Sequence, residues 1–203
     1  MPSPNRGLTQ PERVELSSRR LVAAAAELIA EKGWEATTAA EIGRRAGYSR
    51  AMVHARFGTK DAILHALLDE YVKRLNPDPD PHTTGLAQVL AHFDRIEDLH
   101  TQDPELLRAM FVATFEAAKT TSPLRDNVRS QLEGGAVKVE TGLHNGIEDG
   151  SIRADVDVES AVHDITAAVF GMAFQWVVVP GHDLRCELHE TRARITRDYG
   201  APA

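Results

Sequence analysis

Residues 37–64 have the sequence TTAAEIGRRAGYSRAMVHARFGTKDAIL, and this stretch decides which fold we expect. Thr38 and Glu41 have the spacing of a capping box, in which each side chain pairs with a backbone amide at the start of a helix. The helix that opens there ends at Gly47, and a second short helix follows Ser49, a favourable N-cap residue. Two short helices joined by a glycine-containing turn have the layout of a helix-turn-helix, whose second helix enters the DNA major groove. The stretch therefore predicts binding to double-stranded DNA.

The two helices have complementary faces. Ile42 and Ala46 on the first can pack against Val53 and Phe57 on the second. The residues left for the outer face of the second helix are Arg50, Ala51, Met52, His54 and Arg56. Among these, Arg50 is the best candidate for base recognition, because a guanidinium can bond O6 and N7 of guanine together. Ala51 and Met52 can touch a thymine methyl group or let the helix lie close to the bases.

The same stretch resembles the TetR family of regulators, which has the pattern T-x-x-x-I-A-x-x-A-G-V-S-x-x-x-x-Y-x-H-F-x-[ST]-K-[ED]-x-L. The positions that match are Thr38, Ile42, Ala46, Gly47, Ser49, Phe57, Thr59 and Lys60, with Asp61 at the acidic position. The preceding AAAELIAEKGWEATT also resembles the first helix and turn of the family, so the resemblance covers about residues 19–72. Among the departures from the pattern, Gly43 stands for the usual Ala, His54 for a phosphate-binding Tyr, and Arg56 for His or Tyr.

The motif assigns roles to the polar residues of this stretch. Thr38 lies at a helix N-terminus, where free amides and the helix dipole favour a phosphate. Lys60 is expected to be a second phosphate contact. His54 and Arg56 are further phosphate candidates, and Arg44 and Arg45 are weaker ones. The predicted DNA-binding residues are Thr38, Arg44, Arg45, Tyr48, Ser49, Arg50, Ala51, Met52, His54, Arg56 and Lys60.

The charge distribution agrees with a DNA-binding N-terminal part. The chain has a formal net charge of −7, but residues 1–60 contain ten Lys/Arg and six Asp/Glu, a net +4. Residues 61–203 contain thirteen Lys/Arg and twenty-four Asp/Glu, a net −11. A basic part followed by an acidic part indicates that only the first part meets a polyanion.

The rest of the chain predicts an all-α fold of about nine helices. We expect a disordered tail at residues 1–10, a three-helix helix-turn-helix domain at 11–60, and a helical bundle for ligand binding and dimerisation at 61–203. The run NPDPDP at 76–81 cannot lie inside a helix, because its prolines lack the amide hydrogen and clash with the preceding turn. The predicted helices span 11–32, 38–47, 49–57, 59–75, 84–101, 104–120, 123–148, 157–179 and 183–199.

Several classes of protein are disfavoured by what the sequence lacks. A single cysteine, Cys186, cannot form an internal disulfide, and residues 1–15 lack the apolar run of a signal peptide, so a cytoplasmic protein is expected. The longest uncharged apolar run, Ile165 to Val179, has 15 residues, short of the roughly 20 that span a bilayer. No P-loop, dinucleotide glycine motif, G-x-S-x-G motif or zinc-ligand spacing is found, so we predict no enzyme, cofactor or metal.

The sequence ITAAVFGMAFQWVVVP, residues 165–180, is apolar on every side and must bury more than one face. One face can meet the core of its own domain and another a second subunit, which predicts a homodimer paired through 157–179 and 183–199. The TetR resemblance implies the same arrangement. The residues assigned to the dimer interface are Val162, Ile165, Val169, Met172 and Trp176. A helix buried wholly within one chain is the alternative.

The resemblance also implies that the C-terminal region binds a small-molecule inducer. The residues assigned to this pocket are Phe93, Met110, Phe111, Phe115, Phe170, Phe174 and Gln175, with His92 or Glu116 as further polar anchors. Apolar residues at helical spacing also form ordinary hydrophobic core, which is the alternative interpretation.

Together these features predict a ligand-responsive DNA-binding transcriptional regulator. We expect a repressor that binds a palindromic operator as a dimer and is released when an inducer shifts the fourth helix; an activator is the alternative. Two other classes are possible in principle: a helical enzyme that uses the pocket, and an interaction module that uses its apolar helix. The ordered motif from Thr38 to Lys60 argues against the enzyme, and a heterologous partner in place of a homodimer would favour the interaction module.

Overall fold

The computed structural model describes residues 9–76, 78–119, 121–122 and 124–202. Within these ranges the predicted all-α fold is confirmed, because the only β pairing there is one isolated bridge between Ile152 and Gly200. The helices found there are α1 (Gln10–Lys32), α2 (Ala39–Arg45), α3 (Arg50–Phe57), α4 (Lys60–Leu75), α5 (Gly85–Gln102), α6 (Pro104–Glu116), α7 (Arg125–Asp149), α8 (Val158–Val178) and α9 (Leu184–Tyr199). Of the tail predicted at 1–10, residues 1–8 lie outside the described residues.

Most helices begin at a side chain that accepts a hydrogen bond from a free backbone amide of the first turn. Thr9 forms a capping box with Glu12, so α1 begins at Gln10, and the capping box of Thr38 and Glu41 starts α2. Helices α3, α5, α6, α8 and α9 are capped in the same way, in that order by Ser49, Thr84, Asp103, Asp157 and Asp183. These caps explain why the helix starts could be located from the sequence.

The DNA-binding part and the C-terminal part share one hydrophobic core. The inner face of α1, which includes Leu21, Ala25 and Ile29, is fully buried, and α1 packs against both α4 and α6. The same cluster of buried side chains continues through Ile63 in α4 to Phe111 in α6. Because the core is continuous, a displacement of α4 or α6 is transmitted directly to the helices before residue 60.

Glycines bring α5 and α7 into backbone contact. A β-carbon on Gly85 would lie 1.9 Å from the amide nitrogen of Gly146 and 2.4 Å from the carbonyl oxygen of Gly142. The amide of Gly85 donates to the carboxylate of Asp149 over 2.7 Å, which fixes the start of α5 against the end of α7. This contact determines the separation of two helices that form walls of the cavity described below.

The apolar helix α8 is longer than the uncharged apolar run from which it was predicted. Its 21 residues are long and apolar enough to span a membrane by length and composition alone, unlike the 15-residue run considered above. In the fold, α8 packs against α6, α7 and α9 through an inner face that includes Ala161 and Ala173. Only 28% of its most apolar 18-residue window is buried within the chain, so much of the helix is uncovered.

Five residues of α8 lie on a different face of the helix from the one that the sequence predicted. Ile165, Val169 and Met172, predicted at the dimer interface, are 1%, 5% and 3% exposed and belong to the core of their own chain. Phe174 and Gln175, predicted in the ligand pocket, lie on the outer surface, where Phe174 is 52% exposed. The error has a physical reason: a helix that is apolar all round has no polar face to show its orientation. The remaining two interface candidates, Val162 and Trp176, are half-buried.

Candidate nucleic-acid interface and ligand cavity

The turn between α2 and α3 is held by close backbone contacts. The amide of Tyr48 donates to the carbonyl of Gly43 over 2.7 Å, and Gly47 has a φ of 78°, which glycine adopts without strain. Ile42 and Val53 are fully buried between the two helices and α1, as the sequence predicted. This packing leaves one long face of α3 at the surface.

Arg50 and His54 lie on that exposed face and contact each other. The Arg50 Nε donates to the Nε2 of His54 over 3.4 Å, and the His54 Nδ1 donates to the carbonyl of Gly58 over 2.9 Å. His54 therefore links the guanidinium of Arg50 to the end of α3. Ala51 is also exposed, whereas Met52 is half-buried and packs against the core. Arg50 and Ala51 are thus the predicted base-contact residues that are most accessible.

The N-terminus of α2 is occupied by its own capping network. The Thr38 hydroxyl donates to Glu41 over 2.7 Å, and the same carboxylate pairs with Lys32 over 2.7 Å. The Lys32 ammonium, followed by the Thr38 hydroxyl, lowers the pKa of Glu41 to about 2. A phosphate near Thr38 would therefore have to bind the free amides at the start of α2 rather than an unengaged hydroxyl. Ser49, the N-cap of α3, accepts from the amide of Met52 over 3.3 Å.

Two arginines that the sequence assigned to phosphate bind α1 instead. Arg45 pairs with Glu31 over 2.7 Å and with Glu27 over 3.1 Å, and these carboxylates raise the pKa of its guanidinium. The Arg56 Nε donates to the hydroxyl of the buried Ser17 over 2.7 Å. Both guanidinium groups are thus engaged within the protein, an arrangement that the sequence could not show because the partners lie far away in the chain. Arg44 is exposed, and its guanidinium forms no hydrogen bond or ion pair with any described residue.

Lys60 joins the first turn of α4 to the turn that follows α1. Its ammonium donates to the carbonyl of Trp34 over 2.7 Å and lies 4.1 Å from the centroid of the Trp34 ring. Burial lowers the pKa of this ammonium. An ammonium has three donors, so Lys60 can hold this corner of the fold and still bind a phosphate.

We expect Gly43→Ala to disturb the start of α3. The added β-carbon would lie 2.9 Å from both the carbonyl carbon and the oxygen of Ser49, so the backbone there must move. The free energy of unfolding should fall by about 1–3 kcal/mol, as for other overpacked sites, and specific DNA binding should weaken about tenfold. Chemical denaturation and fluorescence anisotropy measure the two effects.

The matched control is Ala40→Gly, which removes a methyl group from an exposed position of the same helix. It should cost about 1 kcal/mol of stability through helix propensity alone and leave DNA binding unchanged. If Gly43→Ala instead stabilises the protein, as helix propensity alone predicts, the backbone contact does not limit this turn.

A cavity of about 250 Å³ lies in the C-terminal part, between the end of α4 and helices α5, α7 and α8. Two of the predicted pocket residues, Phe93 and Phe170, line it, as does His92, one of the two further polar anchors; the other, Glu116, does not. Met110 and Phe111 are fully buried in the core, and Phe115 lines a neighbouring depression. The apolar lining includes Val89, Phe93, Val128, Val139, Ile165, Val169 and Phe170.

Two walls of the cavity contain none of the residues that the sequence predicted for the pocket. One is the segment after α4, including Asn76, Asp78 and Asp80. The other is a face of α7 at the spacing i, i+3, i+4, i+7, i+10 and i+11: Val128, Gln131, Leu132, Gly135, Lys138 and Val139. That helical spacing is visible in the sequence and could have identified the face.

Side chains of the cavity wall also hold the C-terminal end of α4. The His92 Nδ1 donates to the carbonyl of Leu75, the last residue of α4. The Lys138 ammonium donates to the carbonyl of Asn76 over 2.6 Å and pairs with Asp78 over 3.2 Å. The cavity is therefore connected by hydrogen bonds to the helix that begins at Lys60, next to α3.

These observations define the class of protein. Helix α3 follows a tightly packed turn and presents the accessible Arg50 at the surface. It lies in residues 1–60, the part of the chain that has a net positive charge. Behind it, a helical domain encloses a cavity that contacts the end of α4. This combination is a helix-turn-helix transcriptional regulator with a ligand-binding domain.

Comparison with known proteins identifies the family. Residues 21–67 match the model of bacterial regulatory proteins of the tetR family. The chain is 30% identical over 156 residues to the HTH-type transcriptional repressor KstR2 of Rhodococcus jostii (strain RHA1), covering 71% of this chain and 73% of that protein. The chain belongs to the TetR family, and the predicted function as a ligand-responsive DNA-binding transcriptional regulator is confirmed.

Solved structures show the same fold. The SmeT–triclosan complex has a TM-score of 0.77 at 20% identity, with 92% of this chain and 93% of that chain covered. FadR from Bacillus subtilis in complex with stearoyl-CoA has a TM-score of 0.71 at 22% identity, with 88% and 97% covered. Both similarities extend over the C-terminal domain as well as the DNA-binding part.

Proposed function

We propose that this chain is a repressor that binds a palindromic operator as a homodimer and is released when a small molecule occupies the cavity. The observation that carries the proposal is the exposed pair of Arg50 and His54 on α3, positioned by the tight turn after α2. The DNA-binding relatives support it. The chain acts in the cytoplasm, where it meets DNA, and the proposal requires no cofactor and no catalytic step.

The DNA contacts divide into base and phosphate contacts. Arg50 contacts a guanine, with His54 positioning its guanidinium, and Ala51 allows α3 to lie close to the bases. Arg44 and Lys60 bind phosphates on either side of α3. Tyr48 and Ser49 at the start of α3, and the amides after Thr38, complete the interface. Arg45 and Arg56 instead brace α2 and α3 against α1.

The dimer interface is proposed on the outer face of α8 together with α9. Ala167, Gly171, Phe174 and Val178 are exposed at the spacing i, i+4, i+7 and i+11, so they form one stripe along α8. A β-carbon on Gly171 would meet no atom of this chain within 4 Å, which leaves room for a close helix crossing. Exposed apolar side chains in a continuous stripe mark interaction surfaces. Two subunits would place their α3 helices one DNA turn or a multiple apart, about 34–36 Å.

Phe174→Glu should separate the subunits. In the dimer the substitution places one buried carboxylate from each subunit in the α8 interface and removes one buried aromatic ring from each. The dimer dissociation constant should therefore rise at least about 100-fold. Sedimentation velocity at micromolar concentration measures this, and operator binding should weaken in parallel. The control is Val137→Glu, which replaces another exposed apolar residue, 58% exposed on α7. A Phe174→Glu protein that remains a dimer would place the interface elsewhere.

An inducer would act on DNA binding through α4. The cavity touches the last residue of α4, and the first residue of the same helix, Lys60, contacts Trp34 beside the helix-turn-helix. We propose that α4 has two positions, one with the ligand bound and one without. A ligand that binds the protein more tightly in one of them shifts the equilibrium toward it, and this changes the separation of the two α3 helices in the dimer. Proteins with this fold form complexes with triclosan and with stearoyl-CoA, which supports the binding of a small molecule by this chain.

The test is binding to the DNA that flanks the gene of this protein, measured across a salt series. We expect nanomolar binding to one palindromic fragment that weakens steeply with salt, because phosphate contacts release counterions. Arg44→Ala should reduce the slope of log K against log salt by about 1, the loss of one phosphate contact. Absence of binding to any fragment at low salt would contradict the proposed function.

A further inference from the structure

We propose that the cavity binds a largely apolar molecule that donates a hydrogen bond to the Nε2 of His92. The inference rests on the proposed function of the cavity as the inducer site, and it specifies the chemistry of the ligand. The observation that carries it is the His92 ring, which lines the cavity and uses only its Nδ1 within the protein.

The His92 ring offers an acceptor to the cavity. Its Nδ1 contacts the carbonyl oxygen of Leu75, which can only accept, so the hydrogen of a neutral ring is on Nδ1 and Nε2 has a free lone pair. Burial lowers the pKa of His92 to about 4, so the ring is neutral near pH 7. No described residue forms a hydrogen bond with Nε2, and His92 is part of the cavity lining.

Most other donors of the wall are used within the protein; the exceptions are the exposed guanidinium of Arg95 and the side-chain amide of Asn76, which no described residue binds. The hydroxyls of Thr114 and Thr166 donate to carbonyls of their own helices, those of Met110 and Val162. The amide groups of Gln131 and Gln88 and the ammonium of Lys138 are also bonded to protein oxygens, at Asn127, Leu68, Asp80, Thr83 and Asn76. The cavity therefore has a ready acceptor at His92, and the matching donor has to come from the ligand.

The remaining surface of the cavity selects an apolar body. Phe93, Phe170 and Val169 line the side toward the core, and the volume of about 250 Å³ is enough for a molecule with two fused rings. An apolar ligand without a donor would remove Nε2 from water and leave it unpaired, which opposes binding. A ligand of the same shape with a hydroxyl group pairs with Nε2 and avoids that loss.

A ligand that binds His92 also affects α4, because the same ring holds the carbonyl of Leu75. A donor on Nε2 strengthens the hydrogen bond from Nδ1 to Leu75, because successive hydrogen bonds through one ring polarise each other. Lys138 holds the next carbonyl, that of Asn76, from the opposite wall. A ligand hydroxyl bound to His92 therefore strengthens the contacts of the last turn of α4, the helix that follows α3 in the chain.

The experiment compares 1-naphthol with 1-methoxynaphthalene, its methyl ether, by isothermal titration calorimetry on the full chain. The two probes share the apolar rings, and only the alcohol can donate. We expect the alcohol to bind about tenfold more tightly, the effect of one hydrogen bond, although the ether is the more apolar. In His92→Phe the ratio should fall to about one. Equal affinities in the wild type, or no binding of 1-naphthol, would overturn the proposal.

Thr114→Val is the matched control, because it alters a cavity residue whose hydroxyl is already used within α6, and the tenfold ratio should persist. His92→Phe also removes the bond to Leu75, so its thermal midpoint can fall. A purely structural role would lower that midpoint without changing the ratio between the two probes.

Operator binding by the ligand-free wild type is measured separately. A protein that binds its operator and shows no preference for the alcohol contradicts this inference alone, whereas loss of operator binding contradicts the proposed function.

Discussion

Arg50→Ala is expected to weaken operator binding by about 10- to 100-fold, the value of one bidentate contact between arginine and guanine. Arg50 is exposed in the first turn of α3, and its guanidinium is held by His54 at the surface rather than by an acidic partner. The loss should be accompanied by relaxed discrimination at one base pair in each half-site. Fluorescence anisotropy with operator variants substituted at single positions measures both effects.

Arg129→Ala serves as the control for the change in net charge. Arg129 is an exposed arginine of α7 that pairs with Asp126 over 3.1 Å, in the domain that does not meet DNA. Its removal should change operator affinity less than about twofold at 0.15 M salt, since distant surface charges are screened. Equal losses for Arg50→Ala and Arg129→Ala would mean that Arg50 acts only through the overall field of the protein.

Gly85→Ala is expected to lower the free energy of unfolding by about 3 kcal/mol, at the upper end for overpacked sites. The added carbon would lie 1.9 Å from the backbone nitrogen of Gly146, where no side-chain rotation can relieve the overlap. For a chain of this size, that corresponds to a decrease of roughly 6–12 °C in the thermal midpoint. Differential scanning calorimetry measures it, at equal protein concentration because dimerisation also affects the midpoint.

Gly134→Ala tests whether the effect is due to the contact rather than to the loss of a glycine. A β-carbon on Gly134, in the middle of α7, would meet no atom within 4 Å. This substitution should leave stability unchanged or raise it by about 0.5–1 kcal/mol through helix propensity. If Gly85→Ala were equally harmless, α5 and α7 would not be locked together, and the cavity between them would not have fixed walls.

The features predicted well from the sequence are those encoded by neighbouring residues. Capping pairs such as Thr38 with Glu41, and breakers such as the NPDPDP run, act within one helical turn, so the sequence alone locates the helix ends. The helix-turn-helix was predictable for the same reason: its turn, its cap at Ser49 and its packing pair Ile42 and Val53 lie within about 15 residues.

The features that were missed depend on residues far apart in the chain. Arg45 and Arg56 looked like DNA contacts because only the fold places Glu31 and Ser17 opposite them. The orientation of α8 was ambiguous because every side of the helix is apolar. The role of Gly43, which departs from the family pattern, is clear only from its close approach to the backbone of Ser49.

The most direct test of the central claim, sequence-specific DNA binding through α3, is selection of bound sites from a pool of random double-stranded DNA by the full-length wild type. The account predicts enrichment of a palindrome whose half-sites are 10–10.5 base pairs apart or a multiple, from the spacing of two α3 helices. The Arg50→Ala protein should lose enrichment at one guanine in each half-site. A folded wild-type protein that enriches no sequence, even at low salt, would contradict the account.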